Sequence, residues 1–140
     1  MERFADFICF KLGSAARKIQ RYYNNKLNGY GITIGQAFIL FSLLEQEGLN
    51  IKALGKKLNL DNSAMTGLVD RLEKENLVER RDDPEDRRAY LIFFTQKGKK
   101  IATVTFPIAA EFNARLKDAF APEAQLALNR LLAAIEDLDV

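Results

Sequence analysis

Asn62, Ser63 and Thr66, with Gly67 and Arg71 after them, set short hydrogen-bonding side chains and one cation along a run whose apolar residues Met65, Leu68, Val69 and Leu72 keep helical spacing. With that apolar stripe turned inward, the polar set faces outward near a helix N-terminus. Side chains of this kind let a helix approach base edges in a DNA major groove, and the positive end of the helix dipole favours phosphate. A capped surface helix with no further use accounts for the same residues. Downstream, the charged run DDPEDRRA carries Arg87 and Arg88 at or just past its tip, with Asp86 beside them and Arg80 and Arg81 on the preceding strand. Arginine on a hairpin tip suits a narrow A·T-rich minor groove, whose enhanced negative potential attracts it. The carboxylates of Asp82, Asp83, Glu85 and Asp86 oppose a purely electrostatic grip, and some are expected to orient guanidinium groups by bidentate pairing. Taken alone, the run also reads as a solvated loop.

These residues need elements to position them. Apolar residues from Phe4 to Leu27 recur every three to four positions, which predicts one long amphipathic helix over residues 3–28 with more apolar stripe than a small domain uses internally. Gly29-Tyr30-Gly31 ends it, and Thr33 is placed to cap a second helix over 34–46 that is apolar around most of its circumference. Gly48 stops that helix. Asn50 and Asp61 are placed to cap a third helix over 51–58 and a fourth running to about residue 76. Two short helices joined by a tight connection at Asn59-Leu60 form a helix-turn-helix pattern.

Residues 77–81 and 90–94 read as strands, and the eight residues between them as a charged loop projecting into solvent. A long fifth helix follows from Gln96 to about Ala119, with a kink or break expected at Pro107. A sixth spans residues 122–138, opened by Pro122. The fold class expected is mainly α with a small β-hairpin wing.

Composition narrows the function. The 140 residues contain no histidine and one cysteine, Cys9. That removes the commonest general base, the Ser-His and Cys-His nucleophile pairs, an intrachain disulfide and a thiolate metal cluster. No nucleophile-and-base pair, phosphate-cradling glycine loop or metal constellation is legible, so the chain is not expected to be an enzyme, and no cofactor or metal is implied. The longest apolar runs are about half a membrane span, and the N-terminus lacks a signal-peptide pattern, so a cytoplasmic protein is expected. Net charge is only +2, but residues 1–30 carry six basic against two acidic side chains. A winged helix used only for protein association remains the alternative to one that reads DNA.

The combination is more specific than its parts. The run TGLVDRLEKENLVER, the Asp86-Arg87-Arg88 triplet and the strand leading into Thr95-Gln96-Lys97-Gly98 strongly resemble the MarR family of winged-helix transcriptional regulators, and helix order agrees over nearly the whole chain. The resemblance implies a single MarR-type domain over residues 1–140, in which residues 33–94 form the winged head and residues 1–30 and 96–140 the dimerisation helices. It further implies a homodimer on a pseudo-palindromic double-stranded DNA operator, acting as a repressor. The helix starting at Asp61 would enter the major groove, and Arg88, held by Asp86, the minor groove. Many relatives carry a larger polar or basic residue at the position of Gly67, which leaves the base preference there open.

Members of the family commonly respond to phenolic ligands, oxidants or metals, and a small phenolic or other apolar effector is the wider expectation here. CFKLGSAARKIQRYY resembles the first helix of the hydroperoxide-sensing OhrR branch, with Cys9 at the place of its oxidised cysteine and Tyr23 at that of a supporting tyrosine. Gly13 and Ile34 replace two further tyrosines of that branch. Cys9 as a small buried hydrophobe is the competing reading. Tyr23, Phe38 and Phe41, with Phe7, Phe10 and Phe106, are candidates for an aromatic effector wall, with core packing the competing reading for each.

Overall fold

The computed structural model describes residues 1–139; Val140, the last residue of the expected C-terminal dimerisation segment, lies outside the described residues. Six α-helices and three strands follow in the order α1 (Ile8–Leu27), α2 (Ile34–Glu45), β1 (Leu49–Asn50), α3 (Ile51–Leu58), α4 (Asn62–Lys74), β2 (Val78–Asp83), β3 (Asp86–Phe94), α5 (Gln96–Ala119) and α6 (Pro122–Glu136). The first helix is shorter than periodicity predicts. Phe4–Asp6 form a separate 3-10 turn, and Phe7 is extended, with φ −64° and ψ 137°. The Arg3–Asp6 ion pair at 3.2 Å closes that turn, and the edge-on packing of Phe4 against Phe10, centroids 5.3 Å apart, holds it back against α1.

Local chemistry fixes the next boundaries. Gly31 takes a left-handed φ of 73° after α1. Thr33 and Gln36 then form a reciprocal capping box: the Gln36 amide donates to Thr33 Oγ1 and the Thr33 amide to Gln36 Oε1, at 3.4 and 2.9 Å. Asn24 of α1 accepts from the Ile34 amide at 2.9 Å, which ties the two helices together. Ala37, Ile39, Leu40 and Leu43 of α2 are buried, as the apolar circumference predicts, whereas Phe38 remains exposed. Asn50 and Asp61 cap α3 and α4 by accepting from the Ala53 and Ala64 amides, each at 2.8 Å. Between those helices Asn59 is left-handed, φ 56°, and the Leu60 amide donates to Gly55 O at 2.9 Å. A Cβ on Gly55 would lie 2.8 Å from Leu60 O, so the tightness of this turn requires glycine.

The sheet departs from expectation in two ways. Its order is β1-β3-β2, and the two-residue β1 is absent from the sequence reading. Leu49 and Asn50 pair with Ile92 and Leu91, and the Gly48 amide donates to Ile92 O at 2.9 Å, so this strand exists through its distant partner and not through propensity. The expected eight-residue loop is also corrected: β2 and β3 run into it and leave Pro84-Glu85 as a two-residue turn. Asp83 accepts from the Glu85 amide and Asp86 from the Arg88 amide, both at 2.9 Å, and these side-chain turns let a charged tip keep its backbone paired. Neighbouring Asp82 and Asp83 pair with Tyr90 and Asp86 respectively, so Arg87, Arg88 and Ala89 are left over on β3 as a bulge.

Beyond the wing, α5 is helical on both sides of Pro107, so of the kink or break expected there the break is absent. The chain nevertheless divides between Phe106 and Pro107 into two compact units. The first holds the core, with Leu27, Leu40, Leu54, Met65, Leu72, Leu77 and Ile92 all buried. In the second, α6 ends at Glu136 and buries none of its residues, leaving Leu126, Leu128, Leu132 and Ile135 exposed. No single helix among the described residues is long and apolar enough to cross a membrane.

Candidate nucleic-acid interface

Inward burial of Met65, Val69 and Leu72 sets the outward face of α4. Asn62, Ser63, Thr66, Gly67 and Arg71 are all exposed. Helical spacing sorts them into adjacent stripes, Asn62 with Thr66 and Ser63 with Gly67 and Arg71. A Cβ on Gly67 would meet nothing within 4 Å. On the wing, Asp86, Arg87 and Arg88 are exposed, and the guanidinium groups of Arg87 and Arg88 make no ion pair among the described residues. A cleft of about 290 Å³ has Asn62 and Thr66 among its walls together with Asp86 and Arg88. The fold thus brings the start of α4 and the wing bulge to one surface.

Asp86 holds Arg88 differently from the bidentate pairing expected. Its Oδ1 accepts from the Arg88 backbone amide, which fixes the main chain and leaves the guanidinium unengaged. Arg80 is committed elsewhere. It pairs with Asp70 of α4, and its Nε lies 3.5 Å from Glu73 Oε2, an ion-pair distance without a hydrogen bond, since that nitrogen is buried and unbonded. The Tyr90 ring lies 5.9 Å from the same guanidinium. Arg80 therefore braces β2 against α4, and Arg81 is likewise occupied by Glu79 at 2.6 Å and by the Phe93 ring at 3.9 Å. Replacing Arg80 with glutamine is expected to weaken DNA binding without changing the slope of log affinity against log salt, because a bracing arginine releases no counterion from phosphate. A slope lowered by about 0.9 per head would instead mark a direct phosphate contact.

Two features of this surface escaped the sequence. Lys52, at the start of α3, and Tyr90 line the same cleft. Tyr90 is 45% exposed although β3 reads as an apolar strand. Alternation along that strand gives no signal for this, because it places Tyr90 on the face of buried Ile92 and Phe94, and only its position at the end nearest the wing tip leaves it exposed.

The candidate effector residues are less coherent. Cys9 is exposed, which corrects its reading as a small buried hydrophobe. Tyr23 is buried, and that burial, then the neighbouring Tyr22, raises its phenol above the ordinary value. Fourteen helical positions separate the two, roughly 21 Å at 1.5 Å per residue, so Tyr23 supports no thiolate at Cys9 within one chain. Phe38, Phe41 and Phe106 do meet, with successive ring centroids 6.4 and 5.3 Å apart. Phe7 and Phe10 are exposed near the N-terminus. Among the described residues, no group of three or more Cys, Asp and Glu could hold a metal ion.

A helix-turn-helix whose second helix exposes short polar side chains, followed by a hairpin that presents Arg87 and Arg88, has the architecture of the winged-helix class. Comparison with known proteins agrees. The model of the family described as MarR family matches residues 32–90. The HTH-type transcriptional regulator SarZ of Staphylococcus epidermidis is 34% identical over 110 residues, covering 76% of this chain and 74% of that protein. A MarR transcriptional regulator from Methanosarcina mazei Go1 superposes with a TM-score of 0.77 at 31% identity, over 94% of this chain and 96% of that one. The fold also matches Staphylococcus aureus MepR in its complex with DNA, TM-score 0.84 at 22% identity, over 92% and 95% of the two chains. The chain belongs to the MarR family.

Proposed function

We propose that this regulator is a dimeric repressor that reads a pseudo-palindromic operator, α4 lying in the major groove and the wing in the adjacent minor groove. The observation that carries this reading is the shared cleft, which sets Asn62 and Thr66 beside Arg88 on one surface. Asn62, Ser63, Thr66 and Gly67 face base edges, Arg88 enters the minor groove, and Arg71 and Arg87 contact phosphate. The complex of MepR with DNA supports a nucleic-acid partner for a chain of this fold.

Dimerisation through residues 1–30 and 96–140 is supported by large apolar side chains left exposed in the single chain. Phe4, Phe7, Ile8 and Phe10 are exposed at one end of the sequence, and Leu126, Leu128, Leu132 and Ile135 on α6. Two heads must engage half-sites about one DNA turn, roughly 34 Å, apart. A small phenolic or other apolar effector, or an oxidant, that alters this spacing would cost effective concentration as well as contacts. A repressor of this kind works in the cytoplasm, beside the chromosome.

Selection of duplexes from a random library by the purified full chain, with and without phenolics and hydroperoxides, tests the reading. Enrichment of a two-half-site sequence, lost with one class of additive, is the expected outcome. If no duplex is enriched, the operator reading fails and the wing is left as a protein-association surface.

A further inference from the structure

A helix in one groove and a hairpin in the next straddle a single sugar–phosphate strand, because that strand is what divides the grooves. The surface between α4 and the wing is not flat: it is the 290 Å³ cleft, with Asn62 and Thr66 on one side and Arg88 and Tyr90 on the other. Lys52, the second residue of α3, also lines it. This lysine is exposed and makes no ion pair among the described residues, whereas Lys57 of the same helix is taken by Glu45 at 2.5 Å. The Arg80 guanidinium lies 5.9 Å from the Tyr90 ring and is itself paired with Asp70 and Glu73, so it is engaged away from the phosphate contacts assigned below. Asp86 is the one anion of the lining, against the cations Lys52 and Arg88, and its Oδ1 is engaged by the Arg88 amide. A positive wall, a hydroxyl donor and the start of a helix fit a phosphodiester.

We propose that the cleft between α3, α4 and the wing seats the sugar–phosphate strand separating the two grooves, with Lys52 and the Tyr90 hydroxyl as its phosphate contacts. This assignment rests on the operator reading above and deepens it. Contacts to backbone position a protein without carrying sequence information. Lys52 and Tyr90 therefore set how far the wing and α4 stand from the duplex, while Asn62, Thr66 and Arg88 set which duplex is chosen.

The test uses the full chain, a selected operator and a scrambled duplex. Replacing Lys52 with glutamine is expected to weaken both duplexes by the same factor and to lower the salt slope by about 0.9 per engaged head. Tyr90→Phe, which removes only the hydroxyl, is expected to weaken both roughly two- to tenfold. Lys56→Gln, on the same helix but outside the cleft, serves as the control and is expected to leave slope and preference as in wild type. Placing a neutral methylphosphonate at the phosphate between the two contacted grooves is expected to erase the difference between wild type and Lys52→Gln. Thermal midpoints of all variants establish that each is folded. If wild type selects an operator but Lys52→Gln binds it with unchanged affinity and slope, the cleft assignment is overturned alone. If wild type enriches no duplex, the operator reading and the cleft assignment fall together.

Discussion

Replacing Gly98 with alanine is expected to destabilise the first compact unit by about 2–5 kcal/mol, the sum of a typical overpacking penalty and the loss of a helix cap. A Cβ at this position would collide with the Leu77 carbonyl oxygen and lie 2.7 Å from the carbonyl carbon and 3.1 Å from Cα. All three are backbone atoms, so no rotamer change relieves the clash. The surrounding hydrogen bonds are equally fixed. Thr95 Oγ1 donates to Asn76 O at 2.7 Å and accepts from the Gly98 amide at 3.0 Å, and the Thr95 amide donates to Leu77 O at 3.2 Å. Moving α5 outward to admit a methyl group breaks this set together. Stabilities of single domains are about 5–15 kcal/mol, so the loss is large enough to leave a fraction of the chain unfolded at ordinary temperature. Gly67 is the internal control. It too lies in a helix, but in open space, so Gly67→Ala is expected to stabilise the fold by up to about 1 kcal/mol. Urea unfolding midpoints distinguish the two, and a Gly98→Ala midpoint equal to wild type would contradict the argument.

Arg88→Ala is expected to weaken operator binding by about 1–3 kcal/mol, a factor of roughly five to 150, and to relax the preference at the positions under the wing. The side chain makes no ion pair among the described residues, so its removal strands no carboxylate there, and the unfolding midpoint is expected to stay at the wild-type value. The bulge supplies the physical reason for singling out this residue. Three residues without cross-strand partners re-aim the tip, and the bond from the Arg88 amide to Asp86 fixes the backbone from which the guanidinium reaches out. Titration of selected and scrambled duplexes provides the measurement. Equal losses on both duplexes would make Arg88 a phosphate contact and remove it from the reading role.

Most of the architecture was legible because local chemistry dictates it. Thr33, Asn50 and Asp61 cap the helices that follow them, and in each case the capping oxygen accepts from the amide three residues on. The apolar stripe of α4 likewise determined which residues face out, so Asn62, Ser63 and Thr66 emerged on the expected surface. What escaped depends on distant partners. β1 exists only by pairing with β3 some forty residues later, and two residues carry no periodicity of their own. The wing strands extend through charged residues because ladder hydrogen bonds are indifferent to side chains where both faces meet solvent. The ion pairs of Arg80 were not legible because its partners Asp70 and Glu73 belong to another element. Lys52 and Tyr90 were missed for the same reason, since only the folded chain brings α3 and β3 to one cleft.

The joint at the start of α5 also bears on how such a chain can be cut and recombined. Thr95, Lys97 and Gly98 are bonded to or packed on residues 75–77, with Lys97 Nζ donating to Glu75 O at 3.2 Å. The first turn of α5 is thus part of the floor under the end of α4. A chimera that grafts this head onto foreign helices at Phe94 would discard that floor and present a recognition helix with a loosened base. Moving the seam to Phe106, where the compact unit ends, would carry the head across with its own foundation.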